Sequence, residues 1–344
     1  MGAEVERQAS PGLADKVAFL DQPGSYPDPT TRVDALETHM SWVFLTDAFA
    51  YKLKKPVRYD YLDFSTLEAR RLDCEEELRL NRRLAAEVYL AVVPLMRAPD
   101  GTFGLGGQGQ PVDWLVKMRR LPQEWMLDDL IRRHELSDAD LHALARKLAA
   151  FYAGAAREPM SPPAYRFRLA AQIAANLREL SAAEFNLPAQ RLVGIAEAQS
   201  AFLQRQSALF DERVVRGRIV EGHGDLRPEH VCLLPRPVVI DCLEFKRYFR
   251  IADPLDELSY LAMECERLGM PEIGPWLLSA YAEASGDRWP APLPHYYRSC
   301  RASLRARLSI VHLRDDGRHP PEKWIRVARE YLDLAELHIE RARG

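Results

Sequence analysis

A chain of 344 residues, 47% apolar and 28% charged, has room for one large domain or two modest ones that share a core. Its net charge of -3 supplies no global field for nucleic acid or anionic lipid, so neither is expected as a partner. Five scattered cysteines with no CxxC pair argue against a disulfide framework or a structural zinc site and fit reduced thiols in a cytoplasmic protein.

In chain order, MGAEVERQAS is charged and lacks the apolar stretch of a signal peptide, and Glu6 stands where a myristoylation signal wants Ser or Thr. SWVFLTD (41–47) and FAYKLKKPV (49–57) are β-rich runs that read as a hairpin turning at Asp47 and Ala48. STLEARRLDCEEELRLNRRLAAEVYL (65–90) reads as one long, charged helix. Ser65 or Thr66 can cap it, and Leu67, Leu78, Leu80 and Leu84 mark an apolar side. VYLAVVPLM (88–96), too short to span a bilayer, and VDWLVKMRRL (112–121) flank a Gly-rich turn and predict a second hairpin.

After Leu121-Pro122 the composition turns Ala-, Leu- and Arg-rich. Helical periodicity runs from Trp125 to about Ser207, with a break at PMSPPAY. Strand-like runs return at 218–245, and from Asp253 onward the chain is helical again, interrupted by SGDRWPAPLP and DDGRHPPEK. The expected class is α+β: a small β-rich N-lobe over 1–121 and a larger, mostly helical C-lobe over 122–344.

The chemistry concentrates in HGDLRPEHVCLL, residues 223 to 234. Moving a phosphoryl group from ATP to a hydroxyl needs four things. One carboxylate orients the acceptor hydroxyl and takes its proton. A second holds Mg²⁺ against the phosphate oxygens. A Lys, fixed by a helix Glu, holds the phosphates, and a further cation meets charge near the γ-phosphate. Asp225 and Arg227 supply the first carboxylate and the cation. Sixteen residues after Asp225, the run PVVI ends in Asp241. Upstream, Lys52 and Lys54 share one face of a strand, since side chains alternate, and the following helix carries Glu75, Glu76 and Glu77. Strand-Lys, helix-Glu, loop-Asp, strand-Asp is the order kinase chemistry uses.

HGDLRPEH resembles the protein-kinase pattern HRDLKPEN and, more closely, the HGD loop of aminoglycoside phosphotransferase-like kinases. VVIDCLEF looks like their metal-binding Asp segment and DPLDELSYLA like their D-P-x-x-D-L-A helix. Together with ETHMSWVFL, AYKLKKPV and LDFSTLEARRLDCEEELRLNRR, these segments are similar to a bacterial group of predicted aminoglycoside phosphotransferase-like enzymes, over roughly residues 30 to 312. The resemblance implies a two-lobed protein-kinase-like fold that uses ATP and Mg²⁺, with Mn²⁺ as an alternative ion. It makes Asp225 the catalytic base and Asp241 the principal metal ligand. Lys52 becomes the phosphate-binding Lys, with Lys54 as fallback, and Glu77 becomes its helix partner, with Glu76 as alternative. Lys117-Met118-Arg119 becomes the hinge whose backbone reads adenine. Asp256 becomes a buried brace for the catalytic loop, and His223 a packing residue in it.

His230 stands where the family carries a metal-binding Asn. Imidazole presents nitrogen and Mg²⁺ prefers oxygen, which leaves three readings: a softer ion such as Mn²⁺, a hydrogen bond from His230 to Asp225 with one metal on Asp241, or a site that only binds nucleotide. The second is favoured. A metal hydrolase built on His223, Asp225 and His230 would want more ligands, and the other histidines form no HxH or HExxH pattern.

GLGGQG (104–109) matches GxGxxG, but a strand pattern follows it and Lys52 precedes it, so it reads as a hairpin turn. The phosphate-covering turn is expected at Thr38-His39-Met40-Ser41, with the Ser41 hydroxyl and backbone amides in place of glycines. Arg298, Arg301 and Arg305 fall on one helix face. A solvated face, or pairing with the acidic LDELSYLAMECE helix, is favoured over contact with an anionic substrate or the phosphates. Only about a dozen residues separate Asp241 from Asp253, and no APE motif occurs, which favours a small hydroxylated acceptor over a protein. The runner-up function is a nucleotide-binding regulatory module without turnover. His230→Asn is expected to keep or raise Mg²⁺-dependent turnover in a steady-state ATP-consumption assay; complete loss would give the imidazole an unassigned role.

Overall fold

The computed structural model describes residues 11–59, 62–234, 236–315 and 321–344. The N-terminal decapeptide considered above for targeting, and residues 316–320 of the DDGRHPPEK break, lie outside them. Contacts divide the chain into two compact units. One runs to Pro122 and takes in Val239–Lys246; the other comprises Gln123–Val238 and Arg247–Gly344. The segment 239–246 falls with the first unit because Asn81 accepts from the Cys242 amide at 2.8 Å and two lysines hold Asp241 and Glu244.

The first unit is built on a six-stranded antiparallel sheet. Its strands are β1 (Asp34–Glu37), β2 (Ser41–Leu45), β3 (Phe49–Lys54), β6 (Tyr89–Arg97), β7 (Phe103–Leu105) and β8 (Gln110–Arg119), in the order β1-β2-β3-β8-β6-β7. A short hairpin, β4 (Arg58–Tyr59) and β5 (Leu62–Asp63), stands apart. The first predicted hairpin is β2–β3, with Leu45 opposite Ala50. The second is β6–β8, into which β7 is inserted. GLGGQG ends β7 and turns into β8, with Gly106 and Gly107 at positive φ.

Alternation along β3 sends Tyr51 and Leu53 into a core with Phe44, Leu95, Leu115 and Leu20 of α1 (Leu13–Leu20), a helix the sequence reading did not anticipate. Lys52 and Lys54 take the opposite face and meet α2 (Leu67–Ala85). Thr66 caps α2 by accepting from the Ala69 amide at 3.1 Å. The buried stripe of α2 is largely polar: Arg70, Cys74, Glu77 and Asn81 lie among Leu80 and Leu84. Such a stripe needs partners. For Arg70 the partner is Asp113, 1% exposed, which it meets at 2.7 and 3.1 Å, while Lys16 reaches the same carboxylate at 2.7 Å.

The second unit is helical: α3 (Leu127–Arg133), α4 (Asp138–Gly154), α5 (Pro162–Leu180), α6 (Ala189–Arg205), α7 (Ser207–Val215), α8 (Pro254–Arg267), α9 (Ile273–Ser285), α10 (Pro292–Asp315) and α11 (Pro321–Arg343). Ala302 and Ala306 on α10 and Ala328 and Ala335 on α11 are fully buried beside Tyr260, Met263 and Tyr331, so small residues let these helices pack closely. The strand signal at 218–245 yields only two-residue strands: β9 (Val220–Glu221), β10 (Val231–Cys232) and β11 (Val238–Val239). Among the described residues the rest is loop and one 3-10 turn (Pro228–His230), its amides satisfied partly by side chains, as described below, and partly by distant main-chain oxygens. All five cysteines are buried and unbridged.

Replacing Asp113 by Ala strips both buried cations of their shared carboxylate. Removing one partner from a buried ionic cluster typically costs about 3–5 kcal/mol. Asp113→Ala is therefore expected to lower the urea midpoint of the first unit by an equivalent amount, which equilibrium denaturation checks.

Candidate functional site

In the first unit the site is organised by one carboxylate. Glu77 is fully buried, and its Oε1 accepts from Lys52 at 2.9 Å while its Oε2 accepts from Lys54 at 2.6 Å. Lys52 also donates to Asp241 Oδ1 at 2.8 Å. Burial works against the charge on Lys52, but Asp241, Glu77 and Glu244 outweigh it and hold the ammonium well above its ordinary value. Glu76 and Glu75 face the other way and pair with Arg79 and Arg71.

Lys54 cannot serve as the fallback phosphate ligand. It has no exposed surface, and Asp73, Glu77 and Glu244 surround its ammonium. Asp241 follows β11 at a φ of 60°, the left-handed region, with its side chain about half exposed at 46%. The hydroxyl of the buried Tyr89 accepts from the Asp241 amide at 3.1 Å.

The expected hinge is corrected. Lys117-Met118-Arg119 lie inside β8, the strand between β3 and β6, and their backbone is paired on both sides; the Arg119 amide donates to Val88 O at 2.8 Å. Backbone groups consumed by a sheet cannot also read adenine. The Lys117 side chain pairs with Asp28 at 2.5 Å and sits over the Phe49 ring. Ser41 opens β2 opposite Lys54, and its amide donates to Thr38 Oγ1 at 3.0 Å, so the β1–β2 turn does precede the Lys strand.

In the second unit, Asp225 accepts from Tyr260 Oη at 2.9 Å through Oδ1 and from Arg227 Nε at 3.0 Å through Oδ2. Arg227 also bonds Glu229. Burial alone would push the Asp225 carboxyl up. Arg227, with Arg305 and the Tyr260 hydroxyl, overrides it and holds the group well below the usual carboxylate range.

His230 is corrected as a metal ligand. Its Nδ1 lies 2.8 Å from the main-chain oxygen of Asp225, and 3.8 Å from the carboxylate, while Nε2 is 3.1 Å from Arg227 Nη2. A ring that donates from Nδ1 to the carbonyl presents Nε2 as acceptor to the guanidinium, and both nitrogens are then used within the loop. The favoured hydrogen bond to Asp225 goes to its backbone rather than to its carboxylate.

The brace of this loop is Glu257. Its carboxylate accepts from the His223 amide at 3.0 Å, from the Gly224 amide and from Tyr152 Oη at 2.8 Å. A Cβ on Gly222 would fall 2.3 Å from Glu257 Oε2, and Gly224 has φ 90°, so both glycines are required for the approach. Asp256, expected in this role, is turned to Arg301 at 2.8 and 2.7 Å. The buried His223 fits the packing role and accepts from the Asp225 amide at 3.3 Å. Arg298 and Arg305 pair with Glu266 and Glu264, so the basic face of α10 is answered by α8.

Sequence reasoning passed over Tyr260, Glu257 and Glu244. Glu257 and Tyr260 are three apart on α8 and share a face, a signal available within DPLDELSY. Glu244 sits in IDCLEF, but nothing in that string says which lysine it meets.

A curled antiparallel sheet carrying a Lys–Glu–Asp cluster, and a helical unit carrying a braced HGD loop, define a protein-kinase-like fold. Comparison with known proteins gives the family. A model described as the phosphotransferase enzyme family matches residues 62–298, and the chain belongs to that family. An uncharacterized protein of Mycobacterium tuberculosis is 33% identical over 313 residues; the match covers 90% of this chain and only 60% of that protein's length. A choline/ethanolamine kinase family protein from Mesorhizobium loti shares the fold at a TM-score of 0.54 and 16% identity, covering 96% of this chain and 99% of that one. A glucosamine kinase in complex with glucosamine, ADP and inorganic phosphate does so at 0.52 and 15%, covering 91% and 81%.

Because Asp225 titrates lower in the folded chain than in the unfolded one, its ionised form adds stability above the unfolded value, and this is lost as pH falls through the folded one. Arg227→Ala removes the nearest cation and is expected to move the Asp225 titration, followed by carboxyl ¹³C NMR, to higher pH. The acid limb of the stability curve should move up with it. An unmoved titration would show that Arg227 does not hold the group down.

Proposed function

We propose that this chain transfers the γ-phosphate of ATP to a hydroxyl of a small molecule. The observation that carries the reading is the sharing of the Lys52 ammonium between Glu77 and Asp241. Lys52 is the phosphate-binding cation, fixed by a helix carboxylate as phosphoryl transfer requires. Asp241 offers Mg²⁺ a hard oxygen donor on a half-exposed side chain, and Mg²⁺ is commonly held by one or two carboxylates together with substrate phosphates. When bound, the ion would neutralise charge on the phosphates.

Asp225 orients the acceptor hydroxyl. The acceptor oxygen bonds to the γ-phosphorus as the bond from that phosphorus to the β,γ-bridging oxygen breaks. ADP leaves, and the hydroxyl proton passes to the Asp225 carboxylate. A carboxyl held so far down is a weak proton acceptor at rest, so orientation is its first task and the proton moves late. Arg227 and Arg305 supply positive charge beside Asp225. The acceptor class we assign is a sugar, amino alcohol or aminoglycoside-like compound. The short segment between Asp241 and Asp253, with no APE motif, supports a small acceptor over a protein.

One observation favours a second reading, a nucleotide-binding module without turnover: His230 occupies the family's Asn position and is closed off within its loop. The test is ATP consumption against a panel of hydroxylated metabolites, wild type beside Asp225→Ala. Loss of the base is expected to cost about 10²–10⁴ in turnover. Equal, near-zero turnover in both with intact ATP binding would support the module instead, and AMP retained on an acceptor would point to nucleotidyl transfer.

A further inference from the structure

The cluster around Lys54 is unexplained by phosphate binding. Asp73 Oδ2 lies 2.5 Å from its ammonium, Glu77 Oε2 lies 2.6 Å away, and Glu244 completes the set. Asp73, Glu77 and Glu244 bring their oxygens within 4.8 Å of one another, a spacing that would suit a cation, but the Lys54 ammonium already fills it. Burial pushes the Asp73 carboxyl up, and Lys54 only partly offsets this.

What this charge-dense cluster holds is the segment after β11. Asp241 sits in the left-handed region, which costs a non-glycine residue about 1–3 kcal/mol and persists only where the surroundings over-determine it. Contacts to α2, β3 and β6 fix the stretch. Tyr89 Oη and Asn81 Oδ1 accept from the successive amides of Asp241 and Cys242, Lys52 binds the Asp241 carboxylate, and three residues on Glu244 is drawn to Lys54. Lys54 is tied in turn to Glu77, the same carboxylate that fixes Lys52.

We infer that the pair of the buried Lys54 with the half-buried Glu244 is a latch that positions Asp241. Through Glu77 it sets the metal carboxylate and the phosphate lysine in one register, without itself touching nucleotide. Lys54 and Glu244 are positioning residues, and the inference rests on the reading of Asp241 as the Mg²⁺ carboxylate.

The experiment is calorimetric titration of the full chain with ADP, with and without Mg²⁺, on wild type, Glu244→Gln and Asp241→Asn, each first checked for a cooperative melt. Outer-sphere partners of a metal carboxylate are typically worth about 10–100-fold in metal affinity. Glu244→Gln is expected to lose about tenfold of the Mg²⁺-dependent gain in ADP affinity while metal-free ADP affinity holds; a generally loosened fold would lower both. Should Glu244→Gln fail to melt cooperatively, Glu244→Asp, which keeps the charge and shortens the reach, takes its place and is expected to lose part of that gain. A Mg²⁺-dependent gain equal to wild type in the folded Glu244 variant, while Asp241→Asn abolishes it, overturns the latch and leaves the kinase reading standing. A wild type whose ADP affinity ignores Mg²⁺ overturns both.

Discussion

One buried carboxylate organises the first unit. Glu77 places one oxygen on each of two lysines, and those lysines reach Asp241 and Glu244 three residues apart. A fully buried carboxylate is tolerable only when its charge is met, and here two ammoniums meet it. The constraint runs both ways. The lysines need Glu77 to stay charged beneath α2, and the 239–246 segment needs the lysines to hold a backbone turn that an aspartate adopts at a cost. This is also why a segment so late in the chain packs with the first unit.

The loop in the second unit solves a different problem. HGD is short and irregular, so its amides have no ladder to join. Glu257 supplies the acceptors from the first turn of α8, and its approach leaves no room for a side chain at Gly222. Three residues further along the same helix, Tyr260 reaches Asp225. One helix therefore supports the loop backbone and orients its acid, while Asp256, one residue before Glu257, faces α10. The arginines of α10 are largely taken up by this helix. Arg301 meets Asp256 and Arg305 meets Glu264, so the basic stripe is chiefly a packing device between helices.

The errors of the sequence reading share a cause. Lys117–Arg119 carries the composition expected at the end of a strand, but its neighbours on both sides come from residues 49–51 and 89–91, far away in the chain. The 218–245 run is β-branched enough to suggest strands, yet most of its described residues are loop, because side-chain acceptors and isolated main-chain oxygens replace the ladder. Glu257 and Asp256 are adjacent acids in one helical turn, and only the direction each takes from the helix axis separates a loop brace from an interhelical ion pair.

Sequence by itself determined the parts list and its order: a strand lysine, a helix glutamate, HGD and a strand-end aspartate, because local patterning fixes which element each residue occupies and the chemistry restricts which residue types serve. It also fixed that Lys52 and Lys54 share a face, since strand geometry alternates. Tertiary structure alone decided that Glu77 serves both lysines, that Lys54 is sealed away among three carboxylates, that His230 is spent within its own loop, and that Glu257 rather than Asp256 carries the HGD loop. Each of these depends on burial and on partners distant in sequence, and burial is what turns a charged side chain that could sit in water into one that must find a particular counterpart.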